Sequence, residues 1–175
     1  MLPKSRRGGL ATVLVTLIAA TAAASPAPGA EHTTAACSPA VSHAVIPPWA
    51  RAGFSDPRPR VTHVLGRSGA IIAILFGGSV LHSPPAAGQN NKILWVARKR
   101  NDFGDMHIRA QRMRGTALIG KPVARVVGGG PGPSIIDLPA AGCWRFTLTW
   151  STFGLSSGPS FRDTLDLRYV KPARK

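Results

Sequence analysis

Acidic residues are scarce in this 175-residue chain: seven Asp and Glu stand against 22 Lys and Arg, for a formal charge of +15. Only Asp102/Asp105 and Asp163/Asp166 lie close together in sequence. The first pair flanks a turn, and the second falls on opposite faces of an extended segment, so neither supplies the paired carboxylates of a glycosidase. Cysteine is limited to Cys37 and Cys143, and His32, His43, His63, His82 and His107 are scattered singly. No metal-ligand spacing results, and no metal or cofactor is expected. A Gly-x-Ser-x-Gly elbow is also missing; Gly66-Arg67-Ser68-Gly69 falls one residue short and reads as a turn. The stretch from Gly115 to Lys121 has the glycine and lysine spacing of a phosphate-binding loop. Pro122 stands where the metal-binding hydroxyl belongs, however, and no helical apolar period follows. Amphipathic helices and repeats of 20–50 residues are absent too.

What is present begins with an N-terminal segment of export type. Lys4, Arg6 and Arg7 precede an apolar run from Leu10 to about Ala20, and Ala22-Ala23-Ala24 offers a cleavage site ahead of Ser25. The run is shorter than the roughly 20 residues of a membrane span, so no transmembrane segment is expected in the mature chain. Ser5-Arg6-Arg7-Gly8-Gly9-Leu10 partly resembles a twin-arginine signal. Gly9 replaces the expected Phe, which favours the ordinary secretory route; uncleaved anchoring is the alternative fate of the segment. Residues 1–24 are thus read as a signal peptide, 25–40 as a flexible tether rich in Ala, Pro, Thr and Ser, 41–171 as the folded domain and 172–175 as a basic tail. Two cysteines in an exported chain point to one disulfide, Cys37–Cys143. The rival, lipid attachment at Cys37, is disfavoured because Thr34 occupies the aliphatic position of a lipobox.

Nineteen glycines and sixteen prolines make about a fifth of the chain punctuation, which suits many short strands. The clearest strand is Cys143 to Trp150: Trp144, Phe146, Leu148 and Trp150 point one way, Cys143, Arg145, Thr147 and Thr149 the other. Ala70 to Phe76 is a seven-residue apolar run, read as a strand buried on both faces. Further strands are expected at 60–65, 92–97, 105–113, 115–120, 123–127, 135–138 and 163–170, with 79–91 and the Gly/Pro stretch 128–133 as loops. Pro47, Pro48, Pro57 and Pro59 favour an extended ribbon around Trp49 and Phe54. Trp49 is read as an edge plug in preference to a ligand-stacking platform. The fold class expected is all-β, an immunoglobulin-like sandwich of about seven or eight strands.

Taken together, Pro47-Pro48-Trp49-Ala50-Arg51-Ala52-Gly53-Phe54-Ser55-Asp56-Pro57, Asn91-Lys92-Ile93-Leu94-Trp95-Val96, His107-Ile108-Arg109-Ala110-Gln111-Arg112, Gly132-Pro133-Ser134-Ile135-Ile136-Asp137-Leu138-Pro139 and Gly142-Cys143-Trp144-Arg145 resemble a group of uncharacterised secreted proteins of high-GC Gram-positive bacteria. The resemblance covers about residues 47–170. It implies export and a small β-rich domain, and it transfers no activity and no site residues.

The chemistry left is electrostatic. Three positive charges fall in the N-terminal segment, leaving +12 of the +15 on the remainder. Arg98, Lys99 and Arg100 in a turn, with Arg109, Arg112 and Arg114 nearby, form the candidate surface for an anionic partner: a cell-envelope polymer, a lipid surface or another protein. A solvated basic loop is the plainer reading of the same residues, and specific nucleic-acid recognition is not expected. The reading favoured is a secreted, non-catalytic binding or envelope-associated module. Two alternatives stay open: a secreted hydrolase using His63 or His107 as base, and a protease-inhibitor-like protein presenting the loop 128–133.

Overall fold

A computed structural model describes residues 37, 40–76, 80–85, 87–88, 90–99, 104–151 and 160–173. The signal segment, nearly all of the tether, Arg100 and the last two residues of the basic tail lie outside the described residues.

The described chain is all-β, with nine strands: β1 (His63–Leu65), β2 (Ile71–Leu75), β3 (Leu81–His82), β4 (Lys92–Ala97), β5 (Met106–Arg114), β6 (Ala117–Val127), β7 (Pro133–Ile135), β8 (Gly142–Ser151) and β9 (Ser160–Val170). They form a four-stranded sheet, ordered β1-β2-β4-β7, and a five-stranded sheet, ordered β3-β9-β8-β5-β6. All pairs are antiparallel except β3 with β9, which is parallel.

The stretch with the cleanest alternation becomes the central strand of the larger sheet. All ten residues of β8 pair with β9, from Gly142 opposite Tyr169 to Ser151 opposite Ser160, and β5 flanks its other edge. Trp144, Phe146, Leu148 and Trp150 are buried with Met106, Ile108, Ala110, Leu165, Leu167 and Tyr169. Against them pack Val64, Ile71, Ala73, Leu75, Ile93, Trp95 and Ala97 of the smaller sheet. The Trp95 and Phe146 rings meet across this interface with centroids 5.9 Å apart. Burial of each such side chain stabilises the fold by about 1.5–3 kcal/mol.

β2 is buried on both faces, as its unbroken apolar run requires. Ile72 and Ile74 point away from the main core and are covered by Ile46 and Ala50, with Trp49, Phe54 and Val61 partly buried beside them. The proline-rich segment therefore wraps the outside of the smaller sheet; it is not extended throughout, because Pro48–Ala50 form a 3-10 turn, closed by bonds from the Ala50 and Arg51 N–H groups to the Pro47 and Pro48 carbonyls. Arg51 pins it, donating Nε to the Ile46 carbonyl (3.0 Å) and Nη1 to that of Pro57 (3.1 Å). Trp49 is an element of this cover.

Asp163 joins the β1–β2 turn to the larger sheet. Its register opposite Leu148 turns its carboxylate inward, where it accepts hydrogen bonds from the backbone N–H groups of Ser68 (2.9 Å), Ala70 (3.0 Å), Ile71 (3.3 Å) and Thr164 (2.7 Å). Gly66 lies so close to that carboxylate that a methyl group there would overlap it. The Arg67 N–H adds a bond to the Thr164 carbonyl (2.8 Å), covering part of the β9 edge.

Cys37 and Cys143 form a disulfide with Cα atoms 5.7 Å apart. Cys143 lies on the face of β8 opposite the four buried side chains, so the bridge sits on the outer side of the larger sheet.

Candidate functional site

That outer side collects the chemistry. Because β8 alternates, Arg145, Thr147 and Thr149 face outward, and its register with its neighbours sets three rows across the sheet. Val126, His107, Thr149 and Arg162 form one row; Ala124, Arg109, Thr147 and Thr164 the next; Gln111, Arg145 and Asp166 the third. Neighbouring strands lie about 4.8 Å apart, and rows two residues apart are separated by about 6.6 Å. Arg109 on β5 and Arg162 on β9 thus flank β8 from either side, with the hydroxyls of Thr147 and Thr149 between them. A depression of about 370 Å³ opens here, lined by these four residues with His107, Arg125, Pro122, Ala124 and Val126.

The charge balance within this face is uneven. Asp166, whose side chain is buried, accepts two hydrogen bonds from Arg145 (2.9 and 3.1 Å) and one from Arg67 (2.8 Å). The hydrogen bonds that Arg145 donates to Asp166, aided by the carboxylate's charge, hold the guanidinium above its ordinary pKa, against the opposing effect of burial. The side chains of Arg109 and Arg162, by contrast, form no ion pair or hydrogen bond among the described residues, and both are exposed. Two uncompensated guanidinium groups, which can only donate, line the depression with two threonine hydroxyls, which can turn to donate, and together they make a seat for an oxyanion.

Of the six basic residues grouped by sequence, the five that are described are spread over the molecule. Arg109 lines the depression. Arg98 and Lys99 are exposed just after β4. The Lys99 carbonyl accepts a hydrogen bond from Trp150 Nε1 (3.3 Å), and its ammonium lies 5.4 Å from the Phe161 ring centroid, next to Arg162 in sequence. Arg112 and Arg114 fall on the opposite side of β5 from Arg109. Arg112 pairs with Trp144 and passes beside Gly142, about 20 Å along β8 from Trp150 at the usual rise per residue. Arg162, Thr147, Thr149 and Arg125 were not among the candidates. Threonine alternation on β8 was a usable signal; Arg162 was not, because its strand was expected to begin one residue later.

The histidines named as bases have other surroundings. His63 is buried and donates Nδ1–H to the Val61 carbonyl (2.8 Å). His107 is exposed at the rim of the depression. Neither hydrogen-bonds to a serine hydroxyl or a carboxylate among the described residues. His82 belongs to a polar bracket in which Asn91 bonds its backbone N–H and carbonyl and also the Asp137 carboxylate. Among the described residues no three His, Cys, Asp or Glu side chains are grouped to hold a metal ion. The glycine-lysine stretch 115–121 is the tip of the β5–β6 hairpin and the start of β6. The 128–133 loop is tied down: Gly129 N–H donates to Asp105 (3.1 Å), the Gly132 carbonyl accepts from Trp95 N–H (3.2 Å), and Trp95 Nε1 donates to Ser134 (2.9 Å).

No family model, no curated protein and no solved structure matches this chain.

Proposed function

We propose that this chain is an exported, non-catalytic module of the cell envelope that holds an anionic cell-surface ligand, polymer or lipid, on the outer face of its five-stranded sheet. The observation that carries the reading is the pair Arg109 and Arg162, left without counter-charges on either side of Thr147 and Thr149. The N-terminal segment supports export, and the Cys37–Cys143 disulfide fits an oxidising compartment. No helix of the described residues is long and apolar enough to cross a membrane.

An immunoglobulin-like assignment belongs to the same proposal. The order β9-β8-β5-β6 follows strands G, F, C and C′ of a variable-type domain, and β2-β4-β7 follows A, B and E. The disulfide departs from that pattern, since Cys143 on the F-like strand bonds to Cys37, which precedes all nine strands.

Binding to polyphosphate, with a neutral glucan as control, tests the function. Affinity should fall steadily as salt rises, because exposed charges are screened over about 8–10 Å near physiological ionic strength. Arg109→Ala/Arg162→Ala should weaken binding at least fivefold, whereas Arg114→Ala at the far end should leave it unchanged. Binding that ignored both salt and the double substitution would overturn the proposal.

A further inference from the structure

We infer that the ligand of this face is an amphiphile, a phosphate joined to a single alkyl chain, with the phosphate between Arg109 and Arg162 and the chain along the outward side of β6. The inference rests on the anion-binding reading above and adds what lies beside the anion seat.

β6 is the outermost strand of its sheet, and no strand of the described residues pairs with its far edge. Four of its residues line the depression: Pro122, Ala124 and Val126, which are apolar and share the outward face, and Arg125, which alternates to the other face and donates to the Ala124 and Asp137 carbonyls. Val126 is 56% exposed, the largest exposure among the exposed large hydrophobic residues that are described. From Pro122 to Val126 this strip extends about 13 Å at the usual rise per residue. The register sets Ala124 beside Arg109 and Val126 beside His107, so the strip begins one strand away from the guanidinium group. The aliphatic stem of Arg109 extends the apolar surface toward its own charged head. A purely hydrophilic anion would engage Arg109, Arg162 and the threonines and leave Pro122, Ala124 and Val126 facing water. An alkyl phosphate covers both halves of the depression at once, and its charge is the one the two arginines lack.

Calorimetric titration with a homologous series of monoalkyl phosphates, each below its micelle concentration, tests this directly, with inorganic phosphate and polyphosphate as head-group probes. Affinity should rise about twofold for each added methylene, the increment for a group half-withdrawn from water. Val126→Thr preserves strand-forming shape and should flatten that dependence. Arg109→Ala/Arg162→Ala should lower the affinity of every alkyl phosphate by a similar factor. Chain length without effect, while polyphosphate still bound through Arg109 and Arg162, would overturn the inference and leave the anion-binding reading standing. Failure of both polyphosphate and the alkyl series to bind would overturn both.

Discussion

Asp163 is the most informative single residue to perturb. It is 4% exposed, yet no salt bridge among the described residues neutralises it. Its carboxylate is held by N–H groups of Ser68, Ala70, Ile71 and Thr164. In Asp163→Asn the shape persists, but one acceptor oxygen becomes a donor. Placed at Oδ2, the amide would face the Ala70 and Ile71 N–H groups; placed at Oδ1, it would face those of Ser68 and Thr164. Ser68 is exposed and can rehydrate, whereas Ile71 is fully buried. A buried donor left unsatisfied costs about 1–3 kcal/mol, so Asp163→Asn should lose about 2–3 kcal/mol and Asp163→Ala about 3–5 kcal/mol. Urea unfolding followed by tryptophan fluorescence would report these losses as lowered midpoints at constant slope. An Asp163→Asn midpoint equal to that of the parent would refute the claim that this carboxylate organises the β1–β2 turn.

Two further outcomes concern the covalent tie and the only tyrosine. The Cys37–Cys143 bridge closes a loop with a sequence separation of 106, so Cys37→Ala/Cys143→Ala should lower stability by up to about 4–5 kcal/mol in the chain-entropy model; a loss under about 1 kcal/mol in urea would show that the bridge does not constrain the unfolded chain. Tyr169 donates its hydroxyl to the Ile136 carbonyl (2.8 Å), and burial, reinforced by the charge of Asp137, pushes its pKa far above the ordinary phenol value. A pKa raised in the folded state contributes stability that is complete below the unfolded value, about 10, and is lost as pH rises beyond it toward the folded value. The single tyrosine should therefore give no phenolate absorbance while the protein stays folded above that pH, and phenolate appearing before unfolding would refute its burial.

Much of the architecture was legible because it is locally encoded. The alternation of Trp144 through Trp150 reports a strand with one buried face, and the run Ile71–Leu75 reports one buried on both. The parts that were not legible depend on distant partners. β3 has two residues, too few for any period, and exists because Leu81 and His82 lie beside Tyr169 and Val170. β6 continues through Gly120, Lys121 and Pro122, where the sequence suggested a break; an edge strand tolerates the missing N–H of a proline. The site divides the same way. Alternation alone put His107 and Arg109 outward, but bringing Arg162 opposite Thr149 takes the register of β8 with β9. Arg112 and Arg114 joined the candidates through chain proximity, although the period of two places them across the sheet from Arg109.

The scarcity of acid acquires meaning once each carboxylate is located. Five of the seven acidic residues are described, and the fold engages all of them. Asp56 holds the Arg58 N–H, Asp105 that of Gly129, Asp137 the Asn91 amide, and Asp163 the β1–β2 turn. Among these described acids Asp166 alone pairs with guanidinium groups, and it takes Arg67 and Arg145. Charges of both signs spread over a surface by composition alone would neutralise one another at scattered points. Here the described acids are committed to holding backbone and loops, and the one that faces arginines saturates itself at one row of the outer face. The rows beyond it keep Arg109 and Arg162 over two threonine hydroxyls and beside the apolar edge of β6. An anionic partner supplied from outside is the complement this distribution calls for, and an apolar tail is the complement of the edge next to it.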